Sequence, residues 1–340
     1  CQQLHKLPEQ QSKSTDQSLA QNSQKRCSFN ALTSKRSHMY AKYDYVAGAT
    51  LANIMNDINL IITGETNINN LSASCAKSTT EIVAAVAAGW VLHDALAGTN
   101  KKCYKAPLAD DATKFKYMVL DFNSSGYLKT TIYETWDATA HTGTNLCYYS
   151  DQSSYGQKID TTAGGTMYVF ASVRFAVFAS NTNQWSSGSG PTGVVERTRD
   201  LPFDTVAAGY PPFGFIHFYS SSYVYPLFFP PRVLTMDGSV VVSPQTGFGV
   251  NLMFSGAPSG IAMKIPSGTG TFLVPFYPGY VTNYSTYMPA PYGEFSSLCD
   301  IWKIPSNVAN HLSTITKAGV DYLAMKTYTS STEMFVIRKS

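Results

Sequence analysis

Charge is scarce in this 340-residue chain: Asp, Glu, Lys and Arg together make up 14% of it. The net charge of +3 overstates the basic character, because residues 1–38 hold six of the 25 basic residues and only two of the 22 acidic ones. From residue 39 onward, 19 basic residues face 20 acidic ones. A body without basic excess has little with which to neutralise phosphates, so nucleic acid is not an expected partner. No apolar run approaches the roughly 18 residues a membrane-spanning helix needs. Cysteine is sparse as well, at positions 1, 27, 75, 103, 147 and 299, with no C-x-x-C pair and no His at ligand spacing. That argues against a structural zinc site and for buried free thiols rather than a disulfide framework.

Catalytic signatures are missing too. The nucleophile-elbow pattern, H-E-x-x-H and the P-loop do not occur. The histidines at 5, 38, 93, 141, 217 and 311 stand far apart in the chain. His217 in "GFIHFY" alternates with apolar residues on an expected strand, which suits a hydrogen-bonded structural role. Carboxylate pairs occur at Asp110/Asp111, at Glu134/Asp137 beside Trp136, and at Asp200/Asp204. Glycoside cleavage depends on the separation of such pairs in space, which spacing in sequence does not report. The expectation is a non-enzymatic protein with no metal and no cofactor; a glycan depolymerase is the enzymatic alternative.

What the chain has in abundance is apolar and aromatic material: 44% hydrophobic residues, 22 Tyr and 18 Phe, broken by 24 Gly and 17 Pro. Short runs rich in Tyr, Phe, Val and Thr between turn residues predict a mainly β fold. Short antiparallel strands in a sandwich- or barrel-like arrangement, with a small N-terminal helical element, are expected; α+β is the other arrangement. "FKYMVLDF" and "YLKTTIYETW" flank Asn123-Ser124-Ser125-Gly126, a hairpin signal. "GTMYVFASVRFAVFASN" reads as one long strand or two short ones. Further strands are expected at "FGFIHFYS", "YVYPLFF", "SVVVS", "GTFLVPFYPGYV" and "LCDIWKI", and a closing hairpin joins "DYLAMKTYT" to "EMFVIRKS".

Two helices are predicted. In "TLANIMNDINLIITG", Leu51, Ile54, Met55, Ile58, Ile61 and Ile62 recur at helical spacing, with Thr50 as N-cap and Gly64 as stop. That apolar face either packs on its own domain or serves as a docking and oligomerisation element. "STTEIVAAVAAG" carries Ser78 and Glu81 as a capping box for a second, shorter helix. The expected organisation is a polar tail over 1–38, an N-terminal docking element over 39–75, and a β-rich body over 76–340 with a sub-boundary near 181–193. The Gln/Ser/Lys-rich tail lacks apolar periodicity and is expected to be disordered. It reads either as the tether of a lipid-modified Cys1, which would make the chain an acylated surface lipoprotein, or as a segment upstream of a start at Met39. Organised sequence begins just after Met39, which favours the latter.

Two stretches stand out as candidate sites. Glu196, Arg197, Arg199, Asp200 and Asp204 fall within nine positions of a chain otherwise poor in charge. Pro202 and "YPPF" at 210–213 imply extended, irregular backbone, whose polar groups Arg and Asp side chains can satisfy. A structural ionic knot is therefore preferred over recognition or catalysis. Just before it, the Gly/Ser-rich loop over 183–193 offers Trp185 as a candidate ligand contact.

The stretches "AGWVLHDALAGTNKKCYKAPLADDATKFKYMVLDFNSSGYLKTTIYETW", "ERTRDLPFDTVAAGYPPF", "SLCDIWKIP" and "MFVIRKS" resemble a group of bacteriophage tail or virion structural proteins. The resemblance runs from about Met39 to Ser340 and brings no catalytic signature with it. It implies a β-rich virion component that forms homo-oligomers and contacts other virion proteins, with its N-terminal helix near the attachment end. Aromatic-rich surfaces suit such subunit contacts. The competing reading is a receptor-binding adhesin that recognises host surface glycan through exposed Tyr and Trp; the location is then the virion tail or, for a lipoprotein, the bacterial cell surface.

Overall fold

The computed structural model describes residues 38–84, 89–108, 112–144, 157–182, 191–196, 301–304, 308–326 and 334–339, together with isolated strands between 213 and 291. The strand expected at 223–229 lies outside the described residues.

Strands dominate, and three antiparallel sheets form successive layers. The central sheet holds β1 (Met39–Tyr45), β2 (Glu81–Ala84), β10 (Gly165–Ser172), β11 (Phe175–Ser180), β12 (Thr192–Glu196) and β13 (Phe213–His217), in the order β13-β12-β11-β10-β1-β2. The second sheet is a meander of β3 (Val91–Asp94), β4 (Lys101–Pro107), β5 (Phe115–Phe122) and β6 (Tyr127–Tyr133), with β9 (Gln157–Lys158) added beside β6. A small hairpin, β7 (Thr135–Asp137) and β8 (Thr142–Thr144), follows β6. Two short ribbons pair β14 (Arg232–Leu234) with β15 (Val240–Val242) and β16 (Gly279–Tyr280) with β17 (Ala290–Pro291). The third sheet runs β18-β21-β20-β19, from Ile301–Ile304, Met334–Arg338, Val320–Lys326 and Thr314–Lys317 respectively.

Period-two alternation decides what each face meets. From the central sheet, Ala41, Tyr43, Val169 and Phe178 join one core with Tyr104, Met118, Leu120 and Ile132 of the meander. The opposite face, with Tyr40, Phe170, Phe175 and Val177, packs against Leu323, Met325, Phe335 and Ile337 of the third sheet. A sheet covered on both faces must be apolar at successive positions, and β11, "FAVFAS", is buried at all six. The long apolar stretch of the sequence is thus two strands, β10 and β11, turned at Val173 and Arg174. The other expected hairpins form as well: β5–β6 turns at Asn123, whose Oδ1 accepts the N–H groups of Ser125 and Tyr127, with Gly126 at φ +78°, and β20 pairs with β21.

Helix α1 (Leu51–Ile62) begins as the sequence predicts, with the Thr50 hydroxyl accepting the Asn53 N–H at 3.2 Å. Ile54, Met55, Ile58, Ile61 and Ile62 are all buried in the core shared with β1, β4 and β10, and Leu51 packs half-buried at its margin. At about 1.5–3 kcal/mol for each such side chain, exposing this face would cost roughly 10 kcal/mol. The docking reading of the helix is corrected accordingly: its apolar face is spent inside the chain. Asp57 lies on the same face, 1% exposed, and accepts Tyr43 Oη–H at 2.7 Å, Ser72 N–H at 2.7 Å and Ser72 Oγ–H at 2.8 Å.

Four further expectations change. The helix expected over 78–89 is not what its described residues form: Glu81–Ala84 is a strand, paired with Met39 to Lys42 of β1. The local capping signature yields to the long-range pairing that β-branched Ile82 and Val83 suit. Residues 39–75 are not a separate element, because β1 sits between β10 and β2. The polar tail cannot reach to 38: His38 is 2% exposed, packs at a tilt against Phe175 and donates from Nε2 to the Arg338 carbonyl at 2.7 Å. The stretch 181–193 is no domain boundary, since β11 and β12 on either side pair directly, Phe178 opposite Thr192.

The meander is tied to the central sheet by buried polar contacts. The Lys116 ammonium donates to the carbonyls of Pro107 at 2.8 Å and Val173 at 2.6 Å, and Trp90 Nε1–H donates to the Ser172 carbonyl at 2.8 Å. Among the described residues, no helix is long and apolar enough to cross a membrane.

Candidate functional site

With its inner face committed to the core, the meander turns its alternate residues outward. Register places Val91, Lys105, Tyr117 and Tyr133 side by side across four strands. At about 4.8 Å per strand the row spans about 14 Å. Val91 is 57% exposed, and Phe115, two residues before Tyr117, is 38% exposed. The Lys105 ammonium lies 3.9 Å from the Phe115 ring centroid, and His93 packs on Tyr117 with centroids 5.1 Å apart. This is an aromatic surface on which Lys105 is the charged member of the row, with the Lys101–Asp121 ion pair further along the same strands.

The β7–β8 hairpin, which follows β6, closes a polar centre on the last residue of β3. Asp94, the last residue of β3, is 7% exposed and follows a bulge at His93. Its Oδ2 accepts His141 Nδ1–H at 2.7 Å and Trp136 Nε1–H at 2.9 Å, while Oδ1 accepts the Leu96 N–H at 2.9 Å. Burial pushes the Asp94 carboxyl up, but the hydrogen bonds from His141, Leu96 and Trp136 outweigh it and hold the group below the ordinary aspartate value. The His141 side chain is 55% exposed, so its far edge faces solvent.

The hairpin's own geometry serves this arrangement. Its turn is closed by Asp137, whose Oδ1 accepts the N–H groups of Thr139 and Ala140; those two bonds hold its carboxyl below the ordinary value. His141 ends the turn at φ +55°, a left-handed conformation uncommon for any residue with a Cβ. Gly143 allows the hairpin to close on Tyr133: a Cβ there would lie 2.2 Å from the tyrosine ring. Trp136 meets the same ring edge-on, with centroids 5.1 Å apart. Two ring systems, an indole and an imidazole, are therefore oriented by a single carboxylate oxygen.

Of the residues singled out from sequence, Trp136 and His141 come together here, although 42 and 47 positions separate them from Asp94 and no spacing rule links the three. Glu134 precedes the hairpin, and Asp137 ends its first strand and is engaged in the turn. Trp185, Arg197, Arg199, Asp200 and Asp204 lie outside the described residues, as do Asp110 and Asp111. Glu196 ends β12, opposite Phe213 at the start of β13. Gly188, Gly190 and Gly193 satisfy the spacing G-x-G-x-x-G, but Gly193 lies within β12 against Ala176 and opens no helix, which removes the dinucleotide-loop context that spacing requires. Cys75 and Cys103 are buried free thiols, both pushed up by burial. Among the described residues, no group of three or more His, Cys, Asp or Glu is placed to hold a metal ion.

Comparison with protein-family models finds no match to this chain, and comparison with curated proteins finds none either.

Proposed function

We propose that this chain is a non-enzymatic structural component of a bacteriophage virion, tail-associated, that assembles through contacts between identical subunits and with other virion proteins. The observation that carries the reading is the edge of the meander. Residues 88–136, which bear the longest stretch of the resemblance, supply β3 to β6, and β3 stands at the edge of that sheet. Its two apolar residues, Val91 and Leu92, are 57% and 39% exposed. An edge strand offers a row of backbone donors and acceptors to another chain, and apolar side chains on it favour association. In a closed symmetric assembly each copy would cover the edge of its neighbour.

Light scattering coupled to size exclusion tests this. A discrete homo-oligomer is expected, and V91K combined with L92K is expected to shift it to monomer without loss of strand content. A strict monomer for the unsubstituted chain, across the micromolar range, would count decisively against it. The second reading, glycan recognition by an attachment protein, is favoured by the ring cluster around Asp94.

A further inference from the structure

We propose that Trp136, Tyr133 and His141 form a binding site for a neutral pyranose ring, oriented from below by Asp94. This goes beyond the assembly role and does not depend on it.

The inference starts from preorganisation. A surface tryptophan and histidine on a hairpin of three-residue strands would ordinarily sample several rotamers, and isolated two-stranded hairpins are marginal. Here the Nε1–H of Trp136 and the Nδ1–H of His141 both end on Asp94 Oδ2, at 2.9 and 2.7 Å, and that carboxylate is buried. Holding both rings in advance removes much of the ordering cost that a ligand would otherwise meet. The backbone accepts a left-handed residue at His141 to place the imidazole there, and strain of this kind concentrates at recognition sites.

The chemistry narrows the ligand. With Nδ1 turned to Asp94, the imidazole presents its Nε2 edge outward, and a hydroxyl, which both donates and accepts, can hydrogen-bond to it. Beside it stand Trp136 and Tyr133, both half-buried, packed edge-on against each other, with Gly143 close against the tyrosine ring. A ring face plus a few fixed polar groups is the composition of a small-molecule site. A pyranose fits both demands, with one face of C–H groups for the aromatic rings and hydroxyls around its rim. The base of a nucleotide would stack as well, but the nucleotide's phosphates would need basic residues that this body does not hold in excess.

The test uses the full chain, a panel of neutral di- to tetrasaccharides built from hexoses, deoxyhexoses and N-acetylhexosamines, and saturation-transfer NMR with Trp136 fluorescence as a second readout. H141N is the key variant, because asparagine tolerates the left-handed backbone while losing the ring. The expected result is binding of at least one saccharide, weakened roughly tenfold by H141N and by W136A, with circular dichroism unchanged in H141N. Three results would overturn the proposal: no saccharide on the panel perturbs the chain, binding survives both substitutions, or H141N dissolves a homo-oligomer, which would assign the rings to a subunit contact. An intact oligomer without saccharide binding defeats this inference alone; saccharide binding by a monomer defeats only the assembly reading.

Discussion

Removing the Asp57 carboxylate should reverse the value of a tyrosine hydroxyl. Asp57 sits on the buried face of α1 and collects three donors, Tyr43 Oη–H, Ser72 N–H and Ser72 Oγ–H, all within 2.8 Å. Tyr43 is fully buried, and both its burial and the Asp57 carboxylate push its hydroxyl far above the ordinary tyrosine value, so it stays a neutral donor. Hydrogen bonds to a charged partner contribute about 1.5–3 kcal/mol each, and a buried donor left without an acceptor costs about 1–3 kcal/mol. The two Ser72 donors are only partly buried and can turn to water, so most of the penalty falls on Tyr43. D57A is expected to cost about 3–5 kcal/mol on that basis, a large share of the roughly 5–15 kcal/mol that holds a domain folded. Y43F alone should cost about 1–2 kcal/mol, because Asp57 keeps two of its donors. In the D57A background, however, the tyrosine hydroxyl has lost its acceptor, and Y43F should be neutral or stabilising. Urea unfolding of the four proteins, read as midpoint shifts at constant slope, gives the cycle directly. Equal destabilisation by Y43F in both backgrounds would refute the network.

Asp94 predicts a pH dependence. Its folded-state carboxyl is held below the unfolded value, so it contributes stability above about pH 3.9, the ordinary aspartate value, and loses it as pH falls through the lower folded one. Urea midpoints measured from pH 5 downward should therefore drop, and D94N should flatten that slope; an unchanged slope in D94N would remove Asp94 from the explanation. G143A should force the hairpin off Tyr133, since the added methyl would lie 2.2 Å from the ring. The measurable outcome is a shift in Trp136 fluorescence together with loss of the Trp136 indole N–H resonance from its hydrogen-bonded position. A variant with both signals unchanged would show that the hairpin has room the geometry denies it.

Where local chemistry decides the backbone, the sequence is a sufficient guide. The Thr50 cap and the apolar spacing of α1 are satisfied within a few residues, and the Asn123 to Gly126 turn needs nothing beyond itself. The reading fails where a distant partner overrides a local preference. Ser78 and Glu81 can cap a helix, but the edge of β1 offers Ile82 and Val83 a pairing that no window around residue 80 contains. The destination of the α1 apolar face is another case: periodicity reports that the face is buried without saying by what. The Asp94 site was illegible for the same reason. Its three members come from β3, β7 and the turn before β8, and each taken alone is an ordinary polar or aromatic residue. Only the bulge at His93 and the left-handed turn at His141 bring them within hydrogen-bonding reach.

The place of β1 inside the central sheet, between β10 and β2, has a consequence for synthesis of the chain. Tyr45 pairs with Gly165 and Met39 with Ala171, partners more than a hundred residues downstream. At about 5–20 residues per second, a ribosome needs roughly 6–25 seconds to make the intervening chain. In that interval β3 to β6 of the meander, which are neighbours in sequence, can pair with one another, while β1 has only β2 beside it. The nascent protein thus carries an aromatic strand with one open side until β10 emerges, and that pause is when a chaperone, or a neighbouring copy on the same message, has its opportunity to bind.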